Sequence, residues 1–158
     1  MKIEYFHASK YGNGAQVAQE FQRLLTARGV TVNVHHIKDA DPGKLPVADL
    51  YVFSSSGRMG RPIGSMRKFV KRLAVPAGAR YALLTTEGAP QPDKKTGELP
   101  TEEEQAKYQK VTPLMREALQ AAGLVEVATE KILVTGMKGP LEDGWQAKVE
   151  AFADRIPV

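Results

Sequence analysis

The chain has 158 residues, 42% of them hydrophobic and 25% charged, with a formal net charge of +4. That length and balance suit one globular domain over residues 1–158, and no apolar run approaches the ~20 residues of a membrane span. The absence of cysteine excludes disulfides, thiolate metal sites and cysteine nucleophiles, so redox chemistry would require a bound cofactor. The modest positive excess suits acidic partners or phosphorylated ligands, and no specific nucleic-acid binding is expected from it.

The N-terminal Met1-Lys2-Ile3-Glu4-Tyr5-Phe6 is too short in apolar residues for a secretory segment of ~7–15, so a cytoplasmic location is expected. Ile3-Glu4-Tyr5-Phe6 reads as a buried strand, closed by the Tyr11-Gly12-Asn13-Gly14 turn. Val17, Phe21, Leu24, Leu25 and Arg28 then recur at helical spacing up to Gly29. Val30-Thr31-Val32-Asn33-Val34 alternates, which predicts a second strand near a sheet edge, and residues 39–46 form a polar connection. Ala48-Asp49-Leu50-Tyr51-Val52-Phe53 is an interior strand that runs into a polar loop over residues 54–62.

Met66, Phe69, Val70 and Leu73 mark the buried face of the next helix, with Arg67, Lys68, Lys71 and Arg72 on its wet side. Tyr81-Ala82-Leu83-Leu84-Thr85 is a fourth strand, followed by a loop through Pro90. Residues 91–100 read as a hydrophilic, mobile surface insertion. Thr101 and Glu104 form a capping box for a long helix towards Gly123, which Pro113 should bend or interrupt. Residues 127–134 are a fifth strand, and Trp145, Val149, Phe152 and Ile156 give a last amphipathic helix.

Strands alternating with helices predict an α/β fold: a doubly wound, five-stranded parallel sheet in three α/β/α layers. Such sheets bind ligands beyond the carboxyl ends of their strands, beside the switch in strand order. The loops after strands one, three and four are therefore the candidates, and they hold the richest Gly/Ser/Thr clusters. In the first, Ser9-Lys10-Tyr11-Gly12-Asn13-Gly14-Ala15, free backbone N–H groups and a helix dipole would favour an anion. An ordinary turn capped by Asn13 accounts for the local sequence equally well.

The run YFHASKYGNGAQVA, residues 5–18, resembles the phosphate-binding region of flavodoxins, and the order of elements agrees along essentially the whole chain. The resemblance implies a flavodoxin-like fold and an FMN cofactor whose phosphate is wrapped by residues 9–15. Its ring would lie between Ser54-Ser55-Ser56-Gly57-Arg58-Met59-Gly60 and Thr85-Thr86-Glu87-Gly88-Ala89. This chain departs from the family at Tyr11 and Gly14, which stand where Thr is usual, leaving backbone N–H groups and Lys10 as replacements. Residues 54–62 also lack the ring-stacking aromatics of electron carriers. Met59 is their large apolar group, to pack on the ring or to plug the core.

One of Arg58 and Arg61 would stabilise an anionic reduced ring or bind a phosphate of NADPH, and Arg58 is the candidate catalytic residue; a solvated basic surface is the alternative for both. Glu87 either hydrogen-bonds the cofactor or substrate or is a solvated loop carboxylate. His35 and His36 are adjacent on a strand and point to opposite faces, so they cannot share a metal. The acidic residues of a receiver domain are missing, as are Walker and GxGxxG motifs.

These features favour an FMN-dependent oxidoreductase or electron-transfer protein, working with a redox partner or a small-molecule donor or acceptor, NAD(P)H or quinone linked. The run GRMGRPIGSMRKFVKRL extends the resemblance loosely to flavodoxin-like quinone reductases and menaquinone-dependent protoporphyrinogen oxidases. The alternative is a flavodoxin-like binding or regulatory domain that has lost FMN. The oligomeric state, a homodimer included, stays open.

Overall fold

The computed structural model describes residues 1–157 apart from Met59 and Met137, with the Arg58 side chain also outside the description. In chain order the elements are β1 (Lys2–His7), α1 (Asn13–Ala27), β2 (Thr31–His36), β3 (Leu50–Ser54), β4 (Gly57–Arg58), β5 (Arg61–Pro62) and α2 (Gly64–Lys71). They continue with β6 (Arg80–Gly88), α3 (Glu102–Tyr108), α4 (Val111–Ala121), β7 (Val125–Val134) and α5 (Trp145–Asp154). All pairings in the main sheet are parallel, and its order is β2-β1-β3-β6-β7. The expected five-stranded, doubly wound sheet is thus present, with β2 at an edge and the order reversing between β1 and β3.

Helices cover both faces because the strands are apolar on both. Along β1, Ile3 and Tyr5 point to one side and Phe6 to the other, the alternation a pleated strand imposes. On the first side α1 presents Val17, Ala18, Phe21 and Leu25, spaced to form one stripe, against Val149, Phe152 and Ala153 of α5. On the second side Met66, Phe69 and Val70 of α2 and Val111, Met115 and Leu119 of α4 pack on Phe6, Phe53 and Leu83.

Two elements differ from the sequence expectation, each for a local reason. Residues 54–62 are not wholly irregular: β4 and β5 form a small antiparallel hairpin, turned by Gly60 at φ +77°. Residues 86–88 belong to β6 rather than to a loop, because β7 continues alongside and pairs Thr86 with Ile132, Glu87 with Leu133 and Gly88 with Val134. The long helix after Thr101 is interrupted, as expected from Pro113, and forms α3 and α4. Pro113 cannot donate to Gln109 and its ring excludes that carbonyl, so it is accommodated in the first turn of a new helix. The capping box itself forms, with the Thr101 hydroxyl accepting the Glu104 N–H at 3.2 Å.

Where β1 and β2 end in register, His7 and His36 hold the chain that leaves β1. Their rings meet edge-on with centroids 5.1 Å apart. His7 Nδ1 accepts the Ser9 N–H at 3.2 Å, and His36 Nε2 lies 3.2 Å from the Ser9 carbonyl, positioned to donate to it. Burial, reinforced by the nearby His36, lowers the His7 pKa from 6.5 to about 4, so the ring is neutral at neutral pH and Nδ1 is free to accept. His35 points to the opposite face, as expected, and bonds to the buried Glu4 carboxylate. Burial alone would raise the Glu4 pKa, but hydrogen bonds from Asn33, His35 and Lys2 outweigh it and hold the group below its usual value.

Phe21 is fully buried between Tyr5 and Phe152, with ring centroids at 5.4 and 5.6 Å. Phe21→Ala should cost about 3–5 kcal/mol, read from urea unfolding; a loss below about 1 kcal/mol would contradict this packing. Because the folded pKa of His7 lies below its unfolded value, its contribution to stability is present above pH 6.5 and lost as pH falls towards about 4. Unfolding measured across that window should show a steeper loss for the parent than for His7→Phe.

Candidate functional site

Gly12, at φ +90° and ψ −10°, turns the chain from β1 into α1 and serves as the N-cap. Any other residue would be strained in this left-handed conformation. The Gly12 N–H donates to Ser9 Oγ at 3.0 Å, which closes the loop on itself. The first helical bond runs from Gln16 N–H to Gly12 C=O at 2.9 Å, so the N–H groups of Asn13, Gly14 and Ala15 have no acceptor within the helix. No side chain caps this end. Asn13 instead donates its amide to the Lys138 carbonyl at 3.1 Å, tying the loop to the segment after β7. A Cβ at Gly14 would stand 3.2 Å from Ser9 Cβ, so the small residue there lets the loop curl onto the helix.

This helix terminus opens on a cleft of about 1600 Å³ at the carboxyl ends of the strands. Of the residues singled out from sequence, Ser9, Lys10, Tyr11, Asn13, Gly14, Ser56, Gly57, Gly60, Thr86, Glu87, Gly88 and Ala89 line it together. Gly12 shapes the loop without lining the cleft, and Ala15 lies one residue further into α1. Ser54, Ser55 and Thr85 are buried and do not line it. Ser55 supports the wall through its carbonyl, which accepts the Thr86 N–H at 3.0 Å. Thr85 faces α4, its hydroxyl 2.9 Å from that of Thr112. The Arg58 side chain and Met59 lie outside the described residues.

Glu87 is not a solvated loop carboxylate. It is 3% exposed, and its Oε1 accepts the Val111 N–H at 2.7 Å, so it caps the start of α4 from a neighbouring strand. Its Oε2 has no hydrogen-bond partner among the described residues, with Lys131 Nζ at 3.7 Å. Burial raises its pKa, against the opposing pull of the Val111 N–H and Lys131.

The outer wall was not foreseen from sequence. The insertion at 91–100 does not project away: Gln91, Asp93, Thr96, Glu98, Leu99 and Pro100 all line the cleft. Asp93 organises it, its carboxylate accepting the N–H groups of Lys95 and Thr96 at 2.7 and 3.1 Å. Residues 54–62 carry no aromatic ring, but two exposed tyrosines from elsewhere line the cleft, Tyr11 at 50% exposure and Tyr108 of α3 at 73%. Lys10 and Lys138 sit over the Tyr11 ring at 5.5 and 5.6 Å. The only sequence signal for Tyr108 was an aromatic on the wet face of a capped helix.

The β4–β5 hairpin is fastened to this outer wall. The Lys110 N–H donates to the Gly60 carbonyl at 2.6 Å, and a Cβ at Gly60 would fall 1.5 Å from the Tyr108 carbonyl oxygen. Among the described residues there is no cluster of three or more His, Asp or Glu able to hold a metal, and no helix is long and apolar enough to cross a membrane.

No protein-family model and no curated protein matches this chain in sequence. Solved structures do. It is similar to an archaeal flavodoxin at 18% identity and TM-score 0.69, with 97% of this chain and 94% of that one covered. Flavodoxin 1 from Bacillus cereus aligns at 17% identity and TM-score 0.69, covering 98% and 96%. Rubredoxin oxygen:oxidoreductase from Desulfovibrio gigas aligns at 13% identity and TM-score 0.72, with 98% of this chain matching 35% of that one. Identities this low speak to architecture, and together with the strand order and the two helical layers they establish that the chain has the flavodoxin-like three-layer α/β/α fold.

Proposed function

We propose that the chain is an FMN-dependent oxidoreductase or electron-transfer protein. The observation that carries this reading is the uncapped start of α1, opening behind the left-handed Gly12 onto a large cleft at the switch in strand order. The local donor set fits a phosphate: three free N–H groups, the helix dipole and the Lys10 ammonium. Neighbours of the same architecture carry the names of redox proteins, which is consistent with it.

In this reading Asn13, Gly14 and Ala15 hold the phosphate through their backbone, and residues 56–60 and 86–89 flank the ring. Tyr11 and Tyr108 supply aromatic surface at the cleft. FMN, when bound, supplies the electron-accepting ring; the chain contributes binding, orientation and electrostatics. The Arg58 guanidinium is assigned the role of stabilising negative charge on the reduced ring, an effect that grows as the site excludes water.

A second reading, a flavodoxin-like binding domain without FMN, draws on the two missing Thr hydroxyls and on Ser9 Oγ already accepting the Gly12 N–H. Purified protein separates the two. A yellow preparation that releases FMN on denaturation is expected, whereas a colourless one that ignores added FMN would support the second reading.

Gly12→Val should keep the fold and weaken FMN binding, because a β-branched residue at φ +90° must pull the loop away from its present path. A flavin titration giving the parent's affinity in the folded variant would remove the phosphate site from this loop. Arg58→Ala should lower the reduction potential of the FMN-loaded protein and slow its reduction by NAD(P)H or a quinol. An unchanged potential and rate would return Arg58 to a solvated surface role.

A further inference from the structure

Between Asp49 and Glu87 the chain contains no acidic residue and seven basic ones. Five of these, Arg61, Arg67, Lys68, Lys71 and Arg72, are exposed on or beside α2. Among the described residues none of the five reaches a carboxylate within salt-bridge distance. Arg67 with Lys71 and Lys68 with Arg72 are like-charge i,i+4 pairs, each a small cost to the helix. The macrodipole favours Lys71 and Arg72 near the C-terminus of α2, but it disfavours Arg61 and Arg67 at the other end. Local stability therefore does not explain the patch.

The patch adjoins the cleft, since Gly64, Ser65 and Lys68 of the same helix line it. Residues 93–104, which line the same cleft through Asp93, Glu98 and Glu104, carry the reverse sign on balance, with five carboxylates against Lys94 and Lys95. We propose that the α2 face is the docking surface for an acidic electron-transfer protein, registered beside the cleft by attraction to α2 and repulsion from the rim at 93–104. This rests on the redox reading above. An anionic membrane fits less well because the apolar residues of α2, Met66, Phe69 and Val70, are all buried, leaving nothing on this face to insert. Nucleic acid fits less well because no aromatic side chain of α2 stands among the cations to stack on bases.

The test uses the FMN-loaded and FMN-free full chain with an acidic plant-type ferredoxin as probe, and a basic c-type cytochrome, phosphatidylserine vesicles and a DNA duplex as comparators. Binding followed calorimetrically should favour the ferredoxin at about 20 mM salt and fall at least about tenfold by about 200 mM, as expected for exposed charges. The triple variant Arg67→Gln, Lys71→Gln, Arg72→Gln should lose at least about tenfold in ferredoxin affinity and keep its FMN affinity and melting temperature. Ferredoxin binding unaffected by the triple change, no ferredoxin binding at low salt, or tighter binding of the cytochrome, vesicles or duplex would overturn the proposal. Ferredoxin binding by a chain that takes up no FMN would instead overturn the redox reading while leaving the acidic-partner surface in place.

Discussion

β1 is buried on both faces and has a strand on each side, so every backbone group at its end must find a partner within a few residues or be left to a ligand. The chain meets that constraint in stages. His7 and His36 take the polar groups of Ser9, Ser9 takes the Gly12 N–H, and Gly12 starts the helix. After that the supply of acceptors within the helix runs out, and the N–H groups of Asn13, Gly14 and Ala15 are left without one at the end of α1 that opens on the cleft. The candidate site begins where internal satisfaction of the backbone ends.

The architecture was legible because it is written in short periods. Val17, Phe21 and Leu25 announce a helix face, and the run from Leu50 to Phe53 announces a strand buried on both sides; neither needs knowledge of distant residues. The turn from β1 into α1 was legible for the same reason, being a contiguous strand, turn and helix start. What escaped is non-local. Glu87 reads as a loop carboxylate until β7 extends the sheet past it and α4 lowers its first N–H onto the carboxylate. Tyr108 reads as an exposed helix residue until the split at Pro113 brings α3 over the cleft.

The same distinction separates the parts of the charge pattern. That residues 50–86 carry only cations is visible in the sequence. That the acidic stretch beginning at Asp93 lines the same cleft depends on where the insertion packs, which its composition does not reveal. A polar, proline-flanked segment looks like free surface by hydropathy, yet Asp93 folds it into a turn and its far end runs into a capped helix. Low hydrophobicity measured the lack of a core contact and said nothing of hydrogen-bonded order.

The bond between Lys110 and Gly60, beside the close approach of Gly60 to the Tyr108 carbonyl, joins the inner and outer walls of the cleft. The hairpin after β3 and the junction of α3 with α4 are therefore hinged together, and Glu87 anchors that junction to the sheet. The two walls of the cleft thus share a fastening instead of standing as separate flaps. A displacement of the hairpin would have to break or carry along the contacts of Gly60 with the helix junction, so its cost would be borne by two layers of the fold.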